Sequence, residues 1–385
     1  MSIKNTLKPT LLLFLSITYS SVSTAVTDQE FKALQDRLNQ LADSIEQNAS
    51  ANSDTTIAGY GELHYNNLSN GSKSQKKELD FHRFVLFFGH EFSSKVRMFS
   101  EFELEHALVA DNNECSFTVP AMGLNAGDTV SCSGSSSPGE VELEQAYVQI
   151  DLDGNKTFNA GVFLIPVGIM NETHEPATFY GTERNPVEKN IIPATWWEAG
   201  VMLSGNTENA FSYDIALTSG LDGGTNIRGG RQKVAQADAS NLALTGRLKY
   251  TGIAGLELAG TLQIQDDMTQ DSSDAIDGAT LIETHVIWNQ AATTIKALYA
   301  RWDIDSAFSD LQQGGYVEAS YKLQPETGIF VRHNIWNNGG SEKTQTDIGL
   351  NYWLHEDVVF KIDLQLQDDK AGNSDGFNAG VGYQF

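Results

Sequence analysis

The chain has 385 residues, a formal net charge of −25 at pH 7, and 34 glycines against 8 prolines. This acidic balance argues against nucleic acid as a partner, because phosphates would be repelled. Beyond the N-terminal region no apolar run approaches the ~20 residues of a membrane-spanning helix, so a membrane role would have to come from strands.

The N-terminus predicts a signal peptide over residues 1–25. Lys4 and Lys8 precede the apolar run 11–15, and small residues follow at 23–25. A charged start, an apolar centre and a small-residue end in this order are typical of a secretory signal. The mature chain is expected to begin near Val26, in an oxidising compartment.

Residues 26–54 predict a periplasmic coiled-coil helix followed by a linker. The apolar positions step by three and four residues, and they are Phe31, Leu34, Leu38, Leu41 and Ile45. This spacing is typical of the a/d seam of a short coiled coil. A single amphipathic helix lying on a surface is the alternative. The Ser- and Asn-rich stretch 48–55 predicts a flexible tether.

From residue 55 to residue 385 the apolar period is two, which predicts a transmembrane antiparallel β-barrel of about sixteen strands. In the stretch 95–106, for example, Val96, Met98, Phe102 and Leu104 alternate with Arg97, Glu101, Glu103 and Glu105. The predicted strands are 56–66, 78–92, 94–108, 139–152, 156–165, 196–205, 210–220, 241–251, 255–266, 279–290, 292–304, 313–323, 326–337, 343–354, 357–368 and 376–385. Strands apolar on one face and charged on the other suit lipid outside and water inside.

The connections between these strands alternate between tight turns and long loops, the asymmetry of a bacterial outer-membrane barrel. The last strand alternates apolar residues and ends on Phe385, which resembles the C-terminal signal of outer-membrane proteins. We therefore expect the outer membrane of a Gram-negative bacterium as the location, with its lipid as a partner.

Cys115 and Cys132 are the two cysteines of the chain, and both lie in a predicted loop rich in Ser, Gly and Asn. In an oxidising compartment this pair predicts one disulfide. Two free thiols are the alternative, and a zinc site is disfavoured because the spacing lacks a histidine between them.

A barrel of sixteen strands leaves an aqueous channel, which predicts a porin for small hydrophilic solutes and ions. We expect its narrowest point under the long loop 166–195. The candidate pore-lining residues are Arg83, Arg97, Glu101, Glu103, Glu105, Arg247 and Arg332 on the wall, with Glu172, Glu175, Glu183 and Arg184 on that loop. The excess of acids predicts a mild preference for cations.

Several short motifs of the barrel resemble the phosphate-selective porin O and P family. They are Gly61 in the opening strand, Arg83 followed by Phe87-Phe88-Gly89, the run GVFLIPVG at 161–168, Glu183-Arg184, and Gly200. The resemblance implies a homotrimer of sixteen-stranded barrels whose third loop folds inward, and an anion- or phosphate-selective pore. The chain departs from that family in the acidic loop 166–195, where its phosphate-specific members are rich in lysine and arginine.

Catalytic motifs give little support for an enzyme, because no nucleophile elbow, zinc-protease helix or phosphate loop occurs in a suitable context. We predict no cofactor. An outer-membrane hydrolase and a structural or adhesive barrel plugged by its own loops remain the alternatives to a porin.

Overall fold

The computed structural model describes residues 54–69, 75–108, 115–118, 129–132, 139–270, 276–306, 311–369 and 373–385. The predicted signal peptide and coiled-coil helix lie outside the described residues. Within the described residues, no helix is both long enough and apolar enough to cross a membrane.

Eighteen strands and one short helix are formed by the described residues. The strands are β1 (Thr55–Ser69), β2 (Gln75–Ser93), β3 (Val96–Glu105), β4 (Cys115–Thr118), β5 (Thr129–Cys132), β6 (Val141–Leu152), β7 (Lys156–Leu164), β8 (Trp197–Asn206), β9 (Phe211–Thr218), β10 (Ala243–Ile253), β11 (Leu256–Gln265), β12 (Ile276–Gln290), β13 (Thr293–Ser306), β14 (Leu311–Gln324), β15 (Thr327–Asn337), β16 (Lys343–His355), β17 (Val358–Asp368) and β18 (Asp375–Gln384). The helix, α1, is Pro186–Asn190.

All of these strands except β4 and β5 form one closed antiparallel barrel, so the prediction of sixteen barrel strands is confirmed. Each strand ends within three residues of its predicted end. The barrel closes where β1 pairs with β18, with Tyr60 opposite Gln384. The backbone N–H of Phe385 donates to Gly59 O at 2.9 Å, so the C-terminal residue is part of the seam.

Strands β4 and β5 form a separate two-stranded sheet in the long connection between β3 and β6, which was predicted as loop. Their register places Cys115 opposite Cys132. Opposite residues of an antiparallel pair have Cα atoms about 4.5–5.5 Å apart, a separation that a disulfide can bridge. The disulfide itself stays a prediction.

The barrel is apolar outside and polar inside, as the two-residue period requires. On β17, Leu364 and Leu366 are 58 and 57% exposed, whereas Lys361 and Asp363, which point the other way, are 5 and 4% exposed. A water-soluble protein would bury the leucines and expose the charges. The outer face is therefore built for hydrocarbon.

One part of the inner wall departs from the predicted polar lining. Leu298, Ala300, Trp302 and Ile304 of β13 point inward and belong to a buried apolar cluster. The loop between β7 and β8 supplies the other half of that cluster. This section of the barrel interior is consequently a packed hydrophobic core rather than a wetted wall.

Candidate functional site

The connection between β7 and β8, residues 165–196, folds into the barrel, and we call it the inner loop. Its backbone bonds to side chains on many parts of the wall: Tyr180 O accepts from Arg332, Phe179 O from Asn351, Ile191 O from Trp302, Pro166 O from Thr261, and Thr182 N donates to Asp363. These partners lie on β11, β13, β15, β16 and β17. The inner loop therefore crosses the lumen and narrows it.

Asn171 clamps the two ends of the inner loop together. Its Nδ2 donates to Ile165 O at 2.8 Å and to Trp196 O at 2.9 Å, and its Oδ1 accepts from Trp196 N at 2.7 Å. The side chain is fully buried. One amide thus joins the end of β7 to the start of β8, which explains why so long a connection keeps one shape.

Helix α1 and Gly168 hold the middle of the inner loop. Asn185 caps α1 by accepting from Glu188 N at 2.9 Å, and Pro186 stands in the first turn, where its missing N–H costs nothing. Glu188 is buried and accepts from the backbone N–H of Ile169 at 2.8 Å. Gly168 has φ +71°, and a Cβ there would lie 2.7 Å from Glu188 Oε2, so only glycine fits this turn.

The Glu188 carboxylate also links the inner loop to the wall. Tyr316 on β14 donates its hydroxyl proton to Glu188 Oε1 at 2.7 Å, and Met170 N donates to Oε2 at 2.6 Å. Burial raises the pKa of Glu188, although these donors favour its ionised form and oppose that rise. The donors satisfy a carboxylate that would otherwise be too costly to bury.

Hydrophobic packing fixes α1 against the inner wall. Ile191 and Trp196 are fully buried in the same cluster as Trp302 and Trp336 of the wall. The gap for this contact is left by Gly314 on β14, where a Cβ would lie 2.9 Å from Trp336 and 3.1 Å from Ile191. The lumen is therefore closed on the β12–β15 side.

A cluster of charged side chains lies where the inner loop meets β1, β2 and β3, away from the apolar contact with β12–β15. Arg83 donates to Glu62 at 2.5 Å and to His174 O at 3.4 Å, and His174 Nε2 lies 3.4 Å from Glu101 Oε1. All four side chains are buried. Burial lowers the pKa of His174, but the Glu101 carboxylate outweighs it and the net shift is upward.

Two more wall arginines are matched by carboxylates. Arg247 pairs with Glu172 of the inner loop and, at 2.8 Å, with Asp214 of β9. Arg332 pairs with Glu318 at 3.2 Å and Asp347 at 3.1 Å. Each guanidinium therefore meets at least as much negative charge as it carries, and both also brace the inner loop.

The other predicted pore residues do not form a single group with these pairs. Glu183 accepts from Asn66 at 2.9 Å, whereas Arg184 donates to Thr195 at 2.7 Å within the inner loop. Glu103 is buried and Glu105 and Glu175 are partly exposed. Arg97 is the second residue of β3 and pairs with Asp151. The structure therefore does not bring Arg97 to the inner loop.

A basic group that the sequence reasoning missed lies on the connection between β9 and β10. Arg228 donates to Lys189 O and to Ala194 O, both at 2.9 Å, and Arg231 donates to Thr195 O. Partial burial and the neighbouring Arg231 lower the pKa of Arg228 to about 10, so it stays charged at pH 7. The closely spaced arginines in a long connection were the only signal available.

Comparison with known proteins gives one distant relative in sequence. The chain is 26% identical over 375 residues to a protein of Aquifex aeolicus described as uncharacterized, and the match covers 86% of this chain and 80% of that protein. No family model matches the chain.

Solved structures show the same fold at low sequence identity. OmpF of Salmonella typhi has a TM-score of 0.58 at 10% identity and covers 86% of this chain and 97% of its own. The anion-selective porin from Comamonas acidovorans has 0.57 at 11%, covering 86% and 99%. OmpT of Vibrio cholerae, an outer membrane protein solved in a trimer form, has 0.54 at 9%, covering 86% and 99%. The chain therefore shares the barrel fold of these proteins.

Proposed function

We propose that this protein is an outer-membrane porin, a water-filled channel for passive diffusion of small hydrophilic solutes and ions. The observation that carries the proposal is the inversion of the barrel, with exposed leucines and isoleucines outside and charged side chains inside. Sixteen strands enclose more space than wall side chains fill, and the inner loop narrows that space without being a separate domain. One of the fold relatives, from Comamonas acidovorans, is an anion-selective porin by name.

Conductance in a planar lipid bilayer tests this proposal. Purified protein is expected to insert and give discrete, ohmic steps of uniform size. A structural or adhesive barrel plugged by the inner loop would insert without conducting, and that result would overturn the porin assignment. An outer-membrane hydrolase is disfavoured, because the buried arginines Arg83, Arg247 and Arg332 are held by carboxylates of the wall or of the inner loop.

We infer a mild preference for cations. The wall arginines Arg83, Arg247 and Arg332 are each paired with carboxylates, so they contribute little net positive charge. Glu105 and Glu175 are partly exposed, and within the described residues no ion pair is seen for either. A charge beside a narrow, partly dehydrated path acts at an effective dielectric constant of about 20 rather than 80, so it matters more than in bulk water.

The reversal potential in a KCl gradient measures this preference. Glu172→Gln with Glu175→Gln should lower the K⁺ to Cl⁻ permeability ratio, because it removes two negative charges from the inner loop. Glu326→Gln, an exposed position in the tight turn between β14 and β15, is the matched control and should leave the ratio unchanged. An anion-selective wild type, or a ratio indifferent to the double change, would refute the inference.

Phosphate selectivity, the finer implication of the family resemblance, has one observation in its favour. Arg228 and Arg231 donate to backbone carbonyl oxygens rather than carboxylates, so their charge is not neutralised by these bonds. Phosphate binding at this basic group would reduce chloride conductance at millimolar concentrations. Insensitivity of the chloride current to added phosphate would leave the general porin as the function.

We also propose a homotrimer. The outer wall carries an apolar groove of about 700 Å³ along Gly315 and Val317, where β13, β14 and β15 meet. Such a surface requires lipid or protein to cover it. Among the fold relatives, OmpT of Vibrio cholerae has been solved in a trimer form. Analytical ultracentrifugation in density-matched detergent should give three chains per particle, and a monomer would contradict this.

A further inference from the structure

A cluster of two histidines and one aspartate lies near the end of the barrel where the long loops emerge. It consists of Asp80 and His82 on β2 and His106 immediately after β3. His106 Nδ1 lies 2.9 and 2.8 Å from the two carboxylate oxygens of Asp80, and His82 Nδ1 lies 3.2 Å from Oδ2. None of these residues takes part in the inner-loop contacts described above.

A β-bulge puts Asp80 and His82 on the inner face of the wall, the face that Arg83 also occupies. The register between β1 and β2 shifts after the pair Glu62 and Arg83, and the next pair is Leu63 with Phe81, so His82 is the extra residue. Strict alternation counted from Arg83 would place both His82 and Asp80 on the lipid side. Instead its ring stacks on the buried His64, with ring centroids 4.6 Å apart and planes 15° apart. Bulges recur where a strand must re-aim a side chain.

His106, the third residue of the cluster, is positioned by an unusual backbone conformation. His106 has φ +53°, in the left-handed region, which non-glycine residues seldom adopt. Its backbone N–H still donates to His82 O at 3.1 Å, so the two residues are neighbours across the end of the ladder. The turn therefore directs the His106 ring back towards Asp80 instead of continuing the strand outward.

We propose that Asp80, His82 and His106 bind one divalent transition-metal ion of the Zn²⁺, Ni²⁺ and Cu²⁺ class. Two imidazole nitrogens and a carboxylate oxygen are the donors that these ions prefer. The three ligand atoms lie within 4.8 Å of one another. Ligands about 2.0–2.2 Å from a tetrahedral zinc ion are roughly 3.3 Å apart, so small side-chain rotations suffice.

The accessibility of the cluster supports an exchangeable site. The side chains of His106, His82 and Asp80 are 39, 29 and 14% exposed, so an ion and one or two water ligands can reach it from solution. A second group, formed by Glu101, Glu144 and His174, is buried at the junction with the inner loop and offers one imidazole only. The imidazole-rich, open cluster is the better match to a borderline ion.

Metal binding is measured on full-length protein without a histidine tag, stripped by chelator and titrated with Zn²⁺ against a chromogenic competitor. Wild type is expected to bind one Zn²⁺ per chain, and Co²⁺ in its place should give visible d–d absorption. His82→Gln and His106→Gln should each weaken binding at least about tenfold, since loss of even an outer-shell partner costs that much. His90→Gln, a partly exposed position towards the other end of β2, is the matched control and should bind like wild type.

A second measurement keeps the test independent of how well the variants fold. Zn²⁺ should protect His82 and His106 of wild type from modification by diethyl pyrocarbonate, while partly exposed His90 stays reactive. Absence of binding by wild type, binding unchanged in both His82→Gln and His106→Gln, or equal reactivity of His106 with and without Zn²⁺ would each overturn the proposal. Because the readouts do not depend on conductance, they leave the porin assignment untouched.

Discussion

The substitution Asn171→Asp tests whether one buried amide holds the inner loop across the lumen. The side chain changes by a single atom, but an ionised aspartate can no longer donate to Ile165 O and Trp196 O. A protonated carboxyl is the cheaper state, because it can donate to one of these carbonyls and still accept from Trp196 N. The variant should therefore keep the native loop only when this carboxyl carries a proton.

The size of the effect follows from two contributions. Holding an aspartic acid protonated at pH 7 costs about 4 kcal/mol, because its ordinary pKa lies about three units lower and each unit is worth about 1.4 kcal/mol. The second carbonyl loses a hydrogen bond worth about 1 kcal/mol. That loss is small because Ile165 O also accepts from Val167 N and Trp196 O from Ile165 N. The total is about 5 kcal/mol at pH 7 and about 2.5 kcal/mol at pH 5.

Limited proteolysis of the inner loop in detergent, together with single-channel conductance, measures the release of the loop. Asn171→Asp should be cleaved faster and conduct with larger, noisier steps at pH 8, and both effects should shrink markedly at pH 5. Compared with wild type at the same pH, Asn171→Ala should be loosened to the same degree at both values, because alanine does not titrate. Asn338→Asp, an exposed position with the same change of charge, is the matched control. The reasoning is refuted if the Asp variant resembles wild type at pH 8, or resembles the Ala variant at every pH.

Three further outcomes are expected. Mass spectrometry of protein from cells should find Cys115 joined to Cys132, a bond that would stabilise its loop by roughly 3 kcal/mol, and two free thiols would contradict it. The pKa of His174 is raised, so its attraction to Glu101 should be complete below about pH 6.5 and lost as the pH rises through the folded-state pKa. Cleavage of the inner loop should therefore rise with pH, and His174→Gln should abolish that dependence. Deleting 26–54 should lower the melting temperature of the proposed trimer while leaving conductance intact, and an unchanged melting temperature would assign the predicted coiled coil another use.

The barrel itself could be predicted closely from the sequence. On strands such as β17 the side chains alternate strictly between lipid and water, so the apolar period of two marks both the strand and its faces. The tight turns fix the register of neighbouring strands, which is why the count of sixteen and the strand ends agree with the structure. Physically, a closed antiparallel sheet in a bilayer depends on local pairing that each hairpin specifies for itself.

Other features depended on contacts between residues far apart in the chain. Leu298 and Trp302 point inward on a strand predicted to be wetted, because Ile191 of the inner loop covers them. The centre of β13 carries apolar residues on both faces, Ile295, Ala297 and Tyr299 on one and Leu298, Ala300 and Trp302 on the other, and this is the signal that could have revealed the cover. Ion pairing likewise needed the tertiary structure, because the partners of Arg247 come from a neighbouring strand and from the inner loop.

The sequence by itself determined the architecture, since a two-residue alternation of apolar and polar side chains dictates which surface meets lipid and which encloses water. Tertiary structure alone decided the chemistry of the interior. The bulge at His82 reverses the face that alternation counted from Arg83 assigns to His82. The left-handed turn at His106 brings the His106 imidazole to Asp80. Such departures are set by a single extra residue or one positive φ. The contacts that stabilise them form only after the barrel has closed.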